Sequence, residues 1–205
     1  MRKYAKAFLA TAALLAVLLT GCMSKIKYPS YYTLHLAPVP DPPAKGDGLP
    51  SIAVRELRAP TYLREGPIVY LTSPEQIGFY EYHRWAVDPR RVVTNAVVER
   101  LRASGEFAQV KIYDGRTDVD YILSGNLDKL EEIDYEGGVQ VEVALSAQVV
   151  DLHSGKTVWS NSVSDAAKVD RRNMPAVVAQ MSSVTDRAIE KLLQPLALPT
   201  TAAAR

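Results

Sequence analysis

The spacing of apolar residues changes several times along the chain, and each change predicts an element. From Ala7 to Leu19 the residues are almost all apolar, with Arg2, Lys3 and Lys6 ahead of them. A positive n-region before an apolar run of this length is the layout of a secretory signal. The run falls short of the roughly 20 residues that a membrane-crossing helix needs. Residues 23–30 keep no apolar period and read as a short tether. Tyr32, Leu34 and Leu36 then alternate with Tyr31, Thr33 and His35, which predicts a strand. Between Pro38 and Pro50, Pro40, Pro42, Pro43 and two glycines exclude both helix and inner strand, so this stretch is expected to be a long exposed loop.

Period two returns in Ser51–Leu57, through Ile52 and Val54, and Pro60 ends it. Pro67–Leu71 and Gln76–Tyr82 predict two more strands joined through Thr72-Ser73-Pro74-Glu75, which is turn chemistry. The second of them carries Phe79, Tyr80 and Tyr82, rings that suit a half-buried pleated surface. At Asp88-Pro89 the period changes. Asp88 supplies an N-cap and Pro89 a first helical residue whose missing N–H costs nothing. Val93, Val97 and Leu101 form an apolar stripe beside Ala96, Arg90, Arg91, Glu99 and Arg102 face outward, and Gly105 follows Ser104 as the stop.

Phe107–Tyr113 and Val119–Leu130 are predicted strands separated by Asp114-Gly115-Arg116. After Gly137-Gly138, Val139, Val141, Val143, Leu145, Ala147 and Val149 occupy every second position, the mark of a long antiparallel strand with one dry face. Asp151–Lys156 turns the chain into Thr157–Val163, closing a hairpin of unequal arms. A last helix is expected from Met174 to Leu193, with Val177, Met181, Val184, Ala188 and Leu192 on one stripe; Pro195 and Pro199 end it, and Thr200–Arg205 should fray. Strands, a helix, four strands and a second helix make the expected fold class α+β: a mostly antiparallel sheet with two amphipathic helices packed on one face, in a single domain. The expected division is a signal peptide over 1–21, an acylated cysteine and tether over 22–30, a domain over 31–195 and a flexible tail over 196–205.

Charge and cysteine usage narrow the function. Of 24 Lys+Arg and 23 Asp+Glu, cleavage of the signal removes three basic residues and leaves 21 against 23, a formal charge of −2. That balance argues against nucleic acid, which calls for a basic face, and against a polybasic membrane patch. Cys22 is the only cysteine, so disulfides within the molecule and cysteine metal clusters are excluded. His35, His83 and His153 have no partner at metal-ligand spacing, there is no Gly-x-Ser-x-Gly elbow, and no Gly-rich loop cradles phosphate. The acidic group Asp128, Glu131, Glu132, Asp134 and Glu136 is expected at a solvated strand end or loop. No catalytic constellation, metal site or cofactor site is expected.

One segment draws attention as a contact surface. Arg84-Trp85-Ala86-Val87-Asp88-Pro89 lies between the aromatic strand and the first helix, where Trp85 could staple helix to sheet. Trp, Tyr and Arg are also the usual anchors of protein and lipid contacts, so Arg84, Trp85, Tyr80 and Phe79 are the candidate partner-contact residues.

Leu19-Thr20-Gly21-Cys22 resembles the bacterial lipobox, which implies cleavage before Cys22 and acylation of that residue. Behind it come Tyr31-Tyr32-Thr33-Leu34, Arg55-x-x-Arg58-x-Pro60-x-Tyr62-Leu63, Ile68-Val69-Tyr70, Arg84-Trp85-Ala86 and Leu101-x-x-Ser104-Gly105-x-Phe107. In this order the chain resembles the ABC-type transport auxiliary lipoprotein family, the PqiC/YmbA-like group, over nearly all of its mature length. The resemblance implies a periplasm-facing lipoprotein held in the outer membrane by its lipid. Met23 stands where an inner-membrane retention signal would place Asp. The implied partners are an MCE-domain tunnel protein and inner-membrane transporter components, with this chain as the docking part. An assembly lipoprotein for an outer-membrane barrel and a periplasmic lipid carrier are the competing classes, and exposed strand edges leave homo-oligomers open.

Overall fold

The computed structural model describes residues 27–40, 48–115, 118–135, 137–196 and 198. Cys22, the signal region, most of the proline-rich loop, Glu136 and Thr200–Arg205 lie outside the described residues.

The elements follow in the order β1 (Ser30–Tyr32), β2 (Ser51–Val54), a 3-10 turn at Thr61–Leu63, β3 (Pro67–Ser73), β4 (Gln76–Trp85), α1 (Pro89–Ser104), β5 (Gln109–Ile112), β6 (Tyr121–Ile133), β7 (Gln140–Asp151), β8 (Thr157–Lys168) and α2 (Met174–Leu193). The class is α+β with a mixed sheet. The antiparallel ladders β3–β4, β6–β7 and β7–β8 hold most of the paired residues, and short parallel ladders join β1 to β4, β2 to β5, β2 to β6 and β3 to β6.

β6 is the spine. One of its edges pairs with β7 over the whole length, from Tyr121↔Asp151 to Ile133↔Gln140. The other edge forks: Tyr121–Leu123 takes β2, while Glu132 and Ile133 take β3. Between the two arms, Arg58 N–H donates to the Gly125 carbonyl (3.0 Å) and Leu127 N–H to the Arg58 carbonyl (2.8 Å), so the connecting chain follows β6 throughout. Opposite the fork the register with β7 shifts between Leu127 and Lys129, an extra residue that bends the strand.

Side-chain alternation decides where the core sits. Val141, Val143, Leu145 and Val149 of β7 are fully buried, and they join Met181, Val184, Ala188, Ile189 and Leu192 of α2 in one apolar cluster. Each such side chain contributes roughly 1.5–3 kcal/mol by leaving water. α1 adds Val93, Val97 and Leu101 to the same cluster, and Arg100 pairs with Asp186, tying the two helices side by side. Asp88 caps α1 by accepting from Arg90 N–H (2.9 Å), and Gly105 ends it at φ 71°, a backbone angle that suits glycine. β2 is buried on both faces, because Val119 and Ile122 cover Ala53 on the side away from the helices.

Three expectations are corrected. The strand predicted over Tyr31–Leu36 pairs only at Ser30–Tyr32. Beyond it the chain leaves the sheet and straps the helices: His35 N–H donates to Ser182 Oγ (3.0 Å), Ala37 N–H to Asp186 Oδ2 (2.9 Å), and Leu34 is buried. The alternation there reflects burial against helices, which mimics a strand. The last hairpin has equal arms, 12 residues each, since Ser164–Lys168 continue the ladder without an apolar signal of their own. Finally, β6 runs past Leu130 and draws Glu131 and Glu132, expected at a solvated end, to 3% and 4% exposure. At the other end of the chain, Leu196 is buried and Leu198 packs against the core.

Candidate functional site

The four candidate contact residues lie on β4 but do not share a surface. Trp85 is 7% exposed and belongs to the core; its N–H donates to the Gly66 carbonyl (2.7 Å). Arg84 is held by its Nη2 donating to the Glu65 carbonyl (3.0 Å). Trp85 is therefore a core residue and not a surface one, and Arg84 pins the loop before β3.

Tyr80 heads an aromatic chain on the helix side. Its ring lies 4.7 Å from that of Tyr70 and 5.5 Å from that of His83, whose ring lies 5.6 Å from Tyr32. Tyr32 Oη is 3.1 Å from His83 Nδ1. Gly78 makes this packing feasible, because a Cβ there would stand 2.3 Å from the Tyr70 ring. The Tyr80 hydroxyl donates to Glu132 Oε2 (3.0 Å). Burial first, and the Glu132 charge second, push the Tyr80 phenol well above its usual range; burial likewise pushes the Glu132 carboxyl up, against the pull of the Tyr80 hydrogen bond. Tyr80, His83 and Glu132, with Asp134, Arg172, Met174 and Val177, line a recess of about 330 Å³ beside the start of α2.

Phe79 is different. At 44% exposure it stands out of the sheet on the face away from Tyr80, two residues from Ile77 at 43%. Sequence reasoning selected Phe79 and passed over Ile77, although their i, i+2 spacing next to a Pro-Glu turn was a usable signal.

The second candidate surface was not singled out from sequence. Both helices lie on one face of the sheet, and across β6, β7 and β8 the other face is polar: Ser124, Asn126, Ser146, Gln148, Ser160 and Ser162. These side chains, with Arg58 at the margin, line an open groove of about 520 Å³. Register explains the assembly, since Asn126 pairs with Ser146 and Ser146 with Ser162, which puts the three in one row. Asn126 Nδ2 donates to Ser146 Oγ (3.0 Å). Further along the face, Lys129 Nζ donates to Glu142 (3.0 Å) and stands 3.9 Å from Glu131. The polar half of each strand's alternation carried this signal, but it becomes a surface only once three strands are aligned.

Of the histidines, His153 sits in the β7–β8 turn with Nε2 3.0 Å from Asp120 Oδ1, and Ser51 donates to Asp120 as well. The His153 bond, followed by those from Ser51, holds the Asp120 carboxyl down at about 2. Among the described residues no group of three or more His, Cys, Asp or Glu is placed to hold a metal ion, and no helix is long and apolar enough to cross a membrane. Among the described residues every buried side-chain nitrogen and oxygen has a hydrogen-bond partner.

Comparisons with known proteins agree with this architecture. Protein XCC0632 from Xanthomonas campestris superimposes with a TM-score of 0.68 at 18% identity, covering 80% of this chain and 92% of that one. A crystal structure described as an uncharacterized protein gives 0.64 at 17%, covering 83% and 99%. At these identities the likeness is one of fold. Comparison with curated proteins returns no match. The sequence profile described as ABC-type transport auxiliary lipoprotein component matches residues 32–192, from the edge strand to the end of α2, and the chain belongs to that family.

Proposed function

We propose that this chain is the outer-membrane lipoprotein of an MCE-type, ABC-linked intermembrane lipid transport system, and that it docks the end of the periplasmic tunnel at that membrane. Its family is a transport auxiliary component, which is not an enzyme class. The observation that carries the docking role is the uncovered sheet face. A sheet with helices on one side leaves the other to water or to a partner, and here that side is a polar groove of about 520 Å³. A lipid carrier would need a predominantly apolar cavity; this groove is lined by serine, asparagine and glutamine, with Arg58 at its edge. Polar lining suits a protein partner that brings its own hydrogen-bonding groups.

Cys22 supplies attachment in this reading, and confinement to a thin layer makes a weak second contact effective. Trp85, Tyr80 and Arg84 support the β4 corner from inside by fixing the strand. The test is retention on an immobilised MCE-domain protein of the wild type and of Ser146→Arg/Ser162→Arg, whose fold is checked by circular dichroism. Retention of the wild type and loss of the folded variant is the expected result. Equal retention would remove the groove from the docking surface.

A further inference from the structure

Ile77 and Phe79 are nearly half exposed, yet the residues paired with them are not: Leu71 opposite Ile77 is 8% exposed and Val69 opposite Phe79 is 1%. The patch is thus the open margin of a buried layer, placed next to the β3–β4 turn. Register extends that margin across the sheet. Ile77 aligns with Leu71, Leu71 with Ile133, Ile133 with Gln140 and Gln140 with Lys168. One end of the sheet therefore carries an apolar corner at Ile77 and Phe79 and, across the row, Lys168 followed by the exposed Arg171. Among the described residues the exposed carboxylates at this end are Glu75, Glu81 and Asp170; Asp134 is paired with Arg172.

Residues 27–29, ahead of β1, head toward that end. β1 runs parallel to β4 with Ser30 beside His83, so residues 27–29 track backwards along β4. Lys27 confirms the direction, its Nζ lying 4.3 Å from the centre of the Tyr82 ring, and Tyr28 is 77% exposed. Seven residues of strand separate His83 from Gln76, at most about 23 Å at roughly 3.3 Å each, and less because β4 bulges between Phe79 and Arg84. The eight steps from Ser30 to Cys22 span at most about 29 Å. Cys22 is therefore within reach of the level of the β3–β4 turn.

We propose that this end of the sheet rests on the bilayer, with Ile77 and Phe79 in the boundary between headgroups and acyl chains, Tyr28 at headgroup level, and Lys168 and Arg171 facing lipid phosphates. The footing rests on the reading of Cys22 as acylated. Two apolar side chains do not hold a domain on a membrane alone, but beside an anchor they fix its tilt. The groove on the uncovered face is then presented at a set angle, and the β7–β8 turn, at the far end of the sheet, points away from the membrane.

The test uses the full acylated chain in phosphatidylethanolamine–phosphatidylglycerol vesicles. An environment-sensitive fluorophore is attached at Gln76→Cys or, at the far end, at Lys156→Cys, with acylation checked by mass and vesicle attachment by flotation. The expected result is a blue shift and quenching by lipids carrying a nitroxide near the headgroup for the label at 76, neither for the label at 156, and loss of both when Ile77→Ser/Phe79→Ser is added while flotation persists. An acylated, floating protein whose label at 76 stays in water overturns the footing and leaves the lipoprotein reading intact. A chain that carries no lipid overturns the reading on which the footing rests. A blue shift at 76 in Cys22→Ser protein without vesicles assigns the patch to a second copy of the chain and overturns the lipid contact.

Discussion

Glu132 is the residue whose setting departs most from what its type suggests. Its carboxyl lies in the sheet interior at 4% exposure and accepts from Tyr80, while burial pushes its proton affinity up. A carboxyl raised in the folded state binds protons on folding. Its contribution therefore favours the fold below the ordinary value near 4.5 and declines as pH rises through the raised one. Glu132→Gln keeps an acceptor for Tyr80 and removes the charge. Urea unfolding of wild type and variant between pH 4.5 and pH 8 should show the variant gaining on the wild type as pH rises; parallel curves would mean that Glu132 is not perturbed. Asp120 has the opposite sign: held at about 2, it adds stability above the ordinary 3.8 that is lost as pH falls through the lower value. Acid unfolding of the protein thus draws on Asp120 and is opposed by Glu132.

At the scale of elements, the helices were the most legible part of the sequence. Asp88, Pro89 and Gly105 mark α1 by chemistry that acts within one turn, so no tertiary partner is needed to read them. Asp88→Ala removes the bond to Arg90 N–H and the adjoining ion pair with the Arg90 side chain, and should cost about 1 kcal/mol in urea unfolding. An unchanged midpoint would show the cap to be redundant. β7 was read equally well, because a strand with one dry face declares itself by alternation. Elements whose partners lie far along the chain were read less well. Leu34 and Leu36 alternate because a strap crosses two helices, and Ser182 and Asp186, which secure it, are nearly 150 residues away. β8 continued beyond Val163 because β7 offered a ladder to Lys168, which Ser164–Lys168 do not reveal by themselves. The contact residues divide along the same line. Exposure at Phe79 follows from strand and turn, but burial of Trp85 depends on the tertiary packing of the core.

For the whole molecule, stability is graded from the spine outwards. β6 and β7 share a continuous ladder and bear on α2, whereas β1 and β5 are edge strands of three and four residues. Amide exchange should be slowest at Leu127, Val143 and Leu145, and faster by orders of magnitude at Tyr31, Tyr32 and Lys111, as expected where few buried contacts guard the backbone. Uniform protection would contradict this gradient. The gradient also separates tasks: the long β6–β7 ladder holds the frame, while the groove and the apolar corner sit where the frame meets solvent. Neither surface was visible as a unit in the sequence, since each is made by register between strands and not by any one of them.

The parallel setting of β1 against β4 bears on how the domain takes mechanical load. A tug on the N-terminus pulls β1 along its own axis, so its three ladder positions are strained together in shear and are not peeled one after another. From there the force crosses β4 and β3 and reaches the spine through the two positions at Glu132 and Ile133. A chain tethered at that terminus would yield first at its short edge strand, extending the leash by a few residues while the groove and the helices keep their shape.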